Sequence, residues 1–162
     1  MYDLAIIETG NGGDLQLSGN DFAYVTGIEN MPYLASFGGN PGYVTKSKID
    51  TEQSFDFWGN YLFHQDKPEL QFNSLVEQKL KEIVLNSQGR IDIENTFKKD
   101  LSFLSKYATI EVLAQIVSDD HLRISIKIIQ KYGGNLVKII NFRKKVEGDF
   151  YFSDFSDDFY VG

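Results

Sequence analysis

The chain has 162 residues, of which 42% are hydrophobic and 14% aromatic, so it carries enough apolar surface to fold as one domain. Its 16 basic and 23 acidic residues give a net charge of -7, which argues against nucleic acid or an anionic membrane surface as the main partner. Cysteine is absent, which excludes disulfides, thiolate metal sites and cysteine nucleophiles, and the two histidines argue against a multi-histidine metal site. No metal or cofactor is expected.

The sequence also lacks the signals of membrane insertion and secretion. No apolar run approaches the roughly 20 residues that cross a bilayer. The first ten residues, MYDLAIIETG, carry an acid and no basic residue, unlike a secretory signal peptide. We therefore expect no membrane insertion, and assembly in the cytoplasm.

Short strands are predicted over the first 26 residues. The apolar run Leu4–Ile7 is followed by Gly10–Gly13, and the Asn-Gly pair within it is a strong signal of a hairpin turn. Leu15 and Leu17 alternate with polar residues, and 22–25 form a further apolar run. This pattern predicts an N-terminal β-hairpin.

A short helix is predicted next, over 29–37, because its apolar residues fall at helical spacing. Asn30 stands where an N-cap is expected, and Gly38–Gly42 ends the helix. Residues 43–53 are polar and predict an exposed loop. The most aromatic stretch of the chain, 55–63, comes directly after it.

Two helices are predicted in the middle of the chain. In the first, Asn73 or Ser74 serves as the cap, apolar residues share one face, and Gly89 follows its end near Asn86. The second begins near Asp92 and ends near residue 107. Its apolar residues recur at spacings of four, four and three, at Ile93, Phe97, Leu101 and Leu104.

Three strands follow, over 109–116, 122–128 and 136–143, and the first two show period-two alternation. We identify no internal repeat in the sequence. The order of elements predicts an α+β fold in which the two main helices pack on one face of an antiparallel sheet. Residues 1–147 are predicted to form this single domain. Residues 148–162, which alternate aromatic and acidic residues, are predicted to be an acidic tail that docks elsewhere rather than joining the core.

No residue pattern points to a specific catalytic chemistry. Residues 10–13 lack the Gly-Lys-Ser/Thr of a phosphate loop. The tail acids at 154, 157 and 158 lack the spacing of a calcium loop. Glu52, Asp56 and Glu69 lie near the aromatic stretch and are candidates for a glycosidase pair, although 23 acids provide such pairs by chance. His64 and His121 are interpreted as surface or loop histidines.

Basic residues recur along the last two of the three strands, where they either protect an edge strand or dock an acidic neighbour. They are Lys127, Lys131, Lys138, Arg143, Lys144 and Lys145. The aromatic stretch 55–63 is expected to contribute partly to the core and to leave at least one ring exposed for an interface.

The order of these features resembles the baseplate-wedge proteins of contractile phage tails, a family that includes the short wedge protein of T-even phages and the corresponding tail protein of Mu-like phages. The resemblance covers most of the chain, from about Asp3 to Ile128. The segments that carry it are Asp3-Leu4-Ala5-Ile6, Gly13-Asp14-Leu15, the Gly27-led helix, Asn40-Pro41-Gly42, and Phe57-Trp58-Gly59-Asn60 where the family has a Trp-Trp-Gly-Asp-like signature.

The resemblance implies a GPW-like wedge fold and a structural role without catalysis, in a virion tail or injection-system baseplate assembled in the bacterial cytoplasm. The implied partners are other wedge subunits and the sheath protein. Six residues are expected to form the docking region: Asn40, Pro41, Gly42, Phe57, Trp58 and Gly59. Residues 136–143 are the expected strand for β-augmentation by the sheath.

One position departs from the family pattern, because Tyr43 stands where T-even-like members have glutamate and no arginine follows it. Two other functions stay open on the sequence. The first is an acidic lysozyme-like peptidoglycan hydrolase with paired carboxylates. The second is a free-standing protein-binding module.

Overall fold

Six short strands, three helices and four longer strands make up most of what the computed structural model describes, which is residues 2–8, 13–26, 28–39, 62–131, 134–144 and 150–157. The short strands are β1 (Tyr2–Leu4), β2 (Ile6–Glu8), β3 (Gly13–Leu15), β4 (Leu17–Ser18), β5 (Asp21–Phe22) and β6 (Tyr24–Thr26). The helices are α1 (Met31–Phe37), α2 (Val76–Glu82) and α3 (Ser87–Asp100), with 3₁₀ turns at Pro68–Leu70 and Ser102–Lys106. The longer strands are β7 (Ala108–Ser118), β8 (His121–Gln130), β9 (Asn135–Lys144) and β10 (Phe150–Asp157).

The longer strands form one antiparallel sheet with the order β10-β9-β8-β7. Its inner face holds every second residue of β7, β8 and β9. In β8 this row is Leu122, Ile124, Ile126 and Ile128, all fully buried. The mixed α+β class and the antiparallel sheet predicted from the sequence are therefore confirmed.

The helices meet the inner face of this sheet in one core. Val76 and Leu80 of α2 and Ile93 and Phe97 of α3 belong to the same buried cluster as the inner row of β8. The α1 helix joins through Phe37, whose ring centroid lies 6.0 Å from that of Phe142 in β9.

The boundary between α2 and α3 differs from the prediction. The α2 helix ends at Glu82, where Ile83 turns to extended geometry, and Asn86 accepts a hydrogen bond from the Gly89 amide at 2.8 Å to cap α3. Gly89 thus lies in the first turn of α3 and does not end a helix. A Cβ there would collide with the Val84 carbonyl oxygen, which explains why a helix start carries glycine.

The start of α2 is capped from a distant part of the chain. Neither Asn73 nor Ser74 is the N-cap, which is Leu75. Its amide and that of Val76 donate to Asp100 Oδ2 at 2.8 and 3.1 Å. The Ser74 hydroxyl instead donates to the Ser36 carbonyl of α1. The cap prediction was wrong because the acceptor lies 25 residues further along the chain.

The strand expected to accept a sheath strand is an interior one. β9, which contains residues 136–143, pairs with β8 on one side and with β10 on the other. Both sides of its backbone are therefore occupied, so the predicted augmentation site at β9 is wrong. Within the predicted tail 148–162, residues 150–157 form β10, which pairs with β9. The register of this pairing shifts between Phe152 and Asp154.

Candidate interaction site

The six short strands form three two-stranded arms that meet at one point. The arms are β1–β6, β2–β3 and β4–β5, all antiparallel. At their meeting point, Ala5 N donates to Ala23 O, Ala23 N to Gln16 O and Gln16 N to Ala5 O, each at 2.9 Å. These three hydrogen bonds close a ring, and we call the unit formed by residues 2–8 and 13–26 the strand junction.

A four-residue motif underlies this arrangement. Each residue of the ring is preceded by aspartate and an apolar residue and is followed in two cases by an aliphatic residue and in one by tyrosine. The copies are Asp3-Leu4-Ala5-Ile6, Asp14-Leu15-Gln16-Leu17 and Asp21-Phe22-Ala23-Tyr24. In every copy the aspartate Oδ1 accepts from the next backbone amide, at 2.9, 2.7 and 2.8 Å.

The expectation that the chain has no internal repeat is therefore wrong for its N-terminal part. The signal was present in the sequence as the recurring Asp–apolar pair. It was missed because the copies are unevenly spaced, 11 and then 7 residues apart. The segment that links the first two copies is the longer one. A search for fixed-period repeats does not detect such unequal spacing.

Asn30 joins the strand junction to the body of the protein. It was predicted to cap α1, but its side chain makes no capping hydrogen bond. Instead its Nδ2 donates to Leu4 O at 2.7 Å and to Asp3 Oδ2 at 3.0 Å, while Oδ1 accepts from Ile6 N at 3.2 Å. Asn30 and Ala5 are 4% and 2% exposed, so the junction is buried where Asn30 contacts it.

The other side of the junction is apolar and accessible. Side chains alternate along each strand, so the residues on both sides of each ring position point away from Ala5. They pair across the arms as Leu4 with Tyr24, Ile6 with Leu15 and Leu17 with Phe22. We call these six residues the apolar platform; Leu17 is 64% and Tyr24 62% exposed.

The stretch of chain that contains the platform carries charged side chains of one sign. The acidic residues up to position 45 are Asp3, Glu8, Asp14, Asp21 and Glu29, and the first basic residue is Lys46. Asp14 and Asp21 are exposed, and their hydrogen bonds to the next amide hold the carboxylates within one residue of the platform. A protein that approaches the platform therefore meets a negative potential.

The docking residues implied by the resemblance stay predictions. Asn40, Pro41, Gly42, Phe57, Trp58 and Gly59 all lie outside the residues that the structure describes, as do the loop 43–53 and most of the aromatic stretch. The last described residue before them is Gly39, which has a φ of 84° and whose carbonyl accepts from Ser74 N at 2.9 Å. Of the glycosidase candidates, Glu52 and Asp56 also lie outside, and Glu69 is exposed.

A surface cleft of about 400 Å³ between α2 and α3 was not predicted. Its charged residues include Lys79 and Asp92, whose Nζ and Oδ2 lie 3.3 Å apart. A hydrogen bond from Gln88, with the ammonium of Lys79, lowers the pKa of Asp92. A carboxyl held in its ionised form is unsuited to act as a general acid.

The predicted basic stripe is divided between the two faces of the sheet. Lys138 lies in the inner row of β9 and is 5% exposed, so it is not a surface residue. On the outer face, Lys127 Nζ lies 3.8 Å from Glu111 Oε2, and Arg143 Nη1 lies 3.9 Å from Asp120 Oδ2. The cations of this face thus already have acidic neighbours within the chain.

His121 was interpreted as a surface or loop histidine, and that interpretation is wrong. It is the first residue of β8, it is 9% exposed, and its Nε2 lies 3.0 Å from Asn141 Oδ1. Arg123 Nε donates to the same oxygen at 3.3 Å. Over the described residues, no group of three or more His, Cys, Asp or Glu side chains is placed to hold a metal ion.

Searches of protein-family models, curated proteins and solved structures found no match to this chain. None of the described helices combines the length and the hydropathy needed to cross a bilayer.

Proposed function

We propose that this protein is a structural subunit of the baseplate wedge of a contractile phage tail or a related contractile injection system, and that it acts by protein–protein assembly. One observation carries the proposal. Three of the segments on which the resemblance rests, 3–6, 13–15 and the described part of the Gly27-led helix, are joined into one unit by the ring of hydrogen bonds and by Asn30. That unit presents an apolar surface, as an assembly protein requires.

The sheet narrows the choice of strand for augmentation by a sheath subunit. β7 and β10 are the end strands of the described sheet. On β7, Ala114 N donates to Glu94 Oε1 at 2.9 Å, and Arg90 holds the same oxygen at 2.8 Å. Because a charged side chain occupies that edge, β10 is the strand to which we assign augmentation.

The described carboxylates do not favour the peptidoglycan hydrolase. A general acid needs a raised pKa and access to substrate. Burial raises the pKa of Asp100, but its carboxylate accepts from the amides of Leu75 and Val76 and so caps α2. The raised pKa is accounted for by a structural role.

The proposal is tested by co-expression with the products of the flanking genes, followed by affinity purification and size-exclusion chromatography with mass detection. We expect a stoichiometric complex with a larger wedge-like subunit. Recovery of the monomer alone, with the flanking products soluble, would contradict the proposal. Clearing of peptidoglycan in a zymogram at acidic or neutral pH would favour the hydrolase instead.

The implied docking residue Trp58 gives a sharper prediction. We expect Trp58→Ala to weaken the complex at least tenfold while the midpoint of urea unfolding stays within experimental error. Aromatic anchors at interfaces have effects of this size. An equal loss of stability and of binding would show that Trp58 belongs to the core.

A further inference from the structure

Four of the six residues of the apolar platform, Leu15, Leu17, Phe22 and Tyr24, are 40% to 64% exposed. Its six side chains lie opposite the buried Ala5, and the ring of three 2.9 Å hydrogen bonds fixes the three arms relative to one another. Asn30 hydrogen-bonds to Leu4 O and Ile6 N, the residues before and after Ala5, and so fixes the junction to α1. A pre-organised apolar surface loses little conformational entropy on binding, which favours its use as a docking surface.

The acidic residues next to the platform indicate which kind of partner surface is complementary to it. No basic residue precedes Lys46, and three aspartates each precede a platform residue directly. Alternation places these aspartates on the opposite side of the strand layer from the platform. Each is nevertheless the neighbour of a platform residue in the chain, and charges interact over a Debye length of about 8 Å at physiological salt. A partner surface with lysine or arginine around an apolar centre is therefore complementary to it.

The platform of a second copy of this chain does not satisfy that requirement. Contact between two platforms would bring aspartates of both copies together, which opposes association. On the outer sheet face, Lys127 and Arg143 already lie near Glu111 and Asp120. Lys131 Nζ donates to the Lys106 carbonyl at 2.9 Å. These three cations of the sheet thus already have partners within the chain.

From this geometry and charge we infer that the apolar platform docks onto a different wedge subunit, one whose contact surface has an apolar centre ringed by basic side chains. The inference rests on the proposed function and assigns it a surface. It is independent of the implied docking residues at 40–42 and 57–59 and of augmentation at β10.

The test uses the full chain in complex with the co-expressed flanking subunit. Leu17→Thr combined with Phe22→Thr removes one apolar pair of the platform and replaces it with β-branched residues, which are well accommodated in strands. We expect the dissociation constant to rise at least tenfold. The matched control is Leu113→Thr combined with Val117→Thr, which alters exposed apolar residues of β7, 62% and 45% exposed, and should change binding less than twofold.

A second pair of variants tests the charge. Asp14→Asn combined with Asp21→Asn keeps an oxygen that can accept the next amide but removes two negative charges. We expect weaker binding, and a smaller loss of affinity than in the wild type when the salt concentration is raised from 50 to 300 mM. Circular dichroism and urea unfolding verify that every variant is folded.

The outcomes separate the two proposals. If the wild type forms no complex with any flanking subunit, the wedge function and this docking surface both fail. If the complex forms and the platform variants bind as the wild type does, or the control pair weakens binding equally, the docking surface alone is wrong. If the purified wild type self-associates and the platform variants abolish this, the partner is a second copy and the inference is overturned.

Discussion

Asn30 shows what residue-level reasoning can and cannot provide. Its position before Pro32 predicts a helix cap, and a helix does begin at Met31. The side chain nevertheless bonds to backbone and carboxylate atoms of residues 3–6, which are distant in sequence. Local spacing therefore located the helix, whereas the role of the amide depends on a tertiary contact that no local pattern encodes.

These contacts of Asn30 predict that removing its side chain destabilises the protein. Asn30→Ala leaves Leu4 O and Ile6 N without the amide that satisfies them, so we expect the free energy of unfolding to fall by about 1 to 3 kcal/mol. Urea denaturation followed by circular dichroism measures it. Asn95→Ala, on the exposed side of α3, is the matched control and should be neutral or slightly stabilising. Equal stability of Asn30→Ala and the wild type would contradict the role assigned to Asn30.

Gly89 gives a prediction whose sign opposes helix propensity. Alanine is the better helix former, yet the added Cβ would collide with the Val84 carbonyl and lie 3.0 Å from Ile83 Cγ1. We expect Gly89→Ala to destabilise the protein by about 1 to 3 kcal/mol. Gly134→Ala, where a Cβ meets nothing within 4 Å, should change the unfolding midpoint little. Stabilisation by Gly89→Ala would show that the turn before α3 relaxes readily.

At the scale of elements, β7 and β8 were predictable because one buried face imposes alternation on each strand, and β9 because the glycines at 133 and 134 signal a turn before it. The helix boundary at 83–87 was not, because glycine ends many helices and here begins one. Nor was β10, whose alternation of aromatic and acidic residues was interpreted as a docking tail. Its pairing depends on a neighbouring strand, and no property of the segment alone reveals that neighbour.

The cap between α3 and α2 makes stability depend on pH. Because burial raises the pKa of Asp100 above its ordinary value of 3.8, the folded state holds this proton more tightly than the unfolded state. Stability from this group is therefore lost as pH rises from 3.8 through the folded pKa. Asn at this position keeps an acceptor and does not titrate. We expect the unfolding free energy of Asp100→Asn, relative to the wild type, to increase over that interval.

Urea titrations at several pH values from 3 to 7 measure this difference. Asp100→Ala serves as the second variant, since it removes the acceptor for two amides and should cost about 1 to 2 kcal/mol relative to Asp100→Asn at every pH. A difference between Asp100→Asn and the wild type that is constant with pH would contradict the assigned effect of burial.

At the scale of the whole molecule, the candidate site lay partly within reach of the sequence. The Asp–apolar pairs at 3, 14 and 21 are visible in it, but their meeting at one point requires the register of three arms. The exposed face follows only once that register is known. The sequence therefore predicts strands in residues 3–26, but the exposed apolar surface forms only when the three arms pair and meet at the ring.

Closure of the ring predicts cooperative opening of the N-terminal unit. The amides of Ala5, Gln16 and Ala23 all donate within the ring, so opening one arm disturbs the others. We expect these amides to show protection factors within about tenfold of one another, which corresponds to 1.4 kcal/mol. Hydrogen exchange monitored by NMR tests this, with the amide of Ser18, near the end of an arm, as the faster reference. Widely different protection of the three amides would show that the arms open independently.

The three-armed layout also separates the tips of the arms from their meeting point. In two arms the paired strands are consecutive in the chain, linked by residues 9–12 in one and by Gly19 and Asn20 in the other, and the three hydrogen bonds of the ring use none of these linking residues. Residues inserted at these links would lengthen one arm without shifting the register of another. The N-terminal unit is thus a scaffold on which two peptide loops of chosen sequence can be displayed at a fixed mutual orientation.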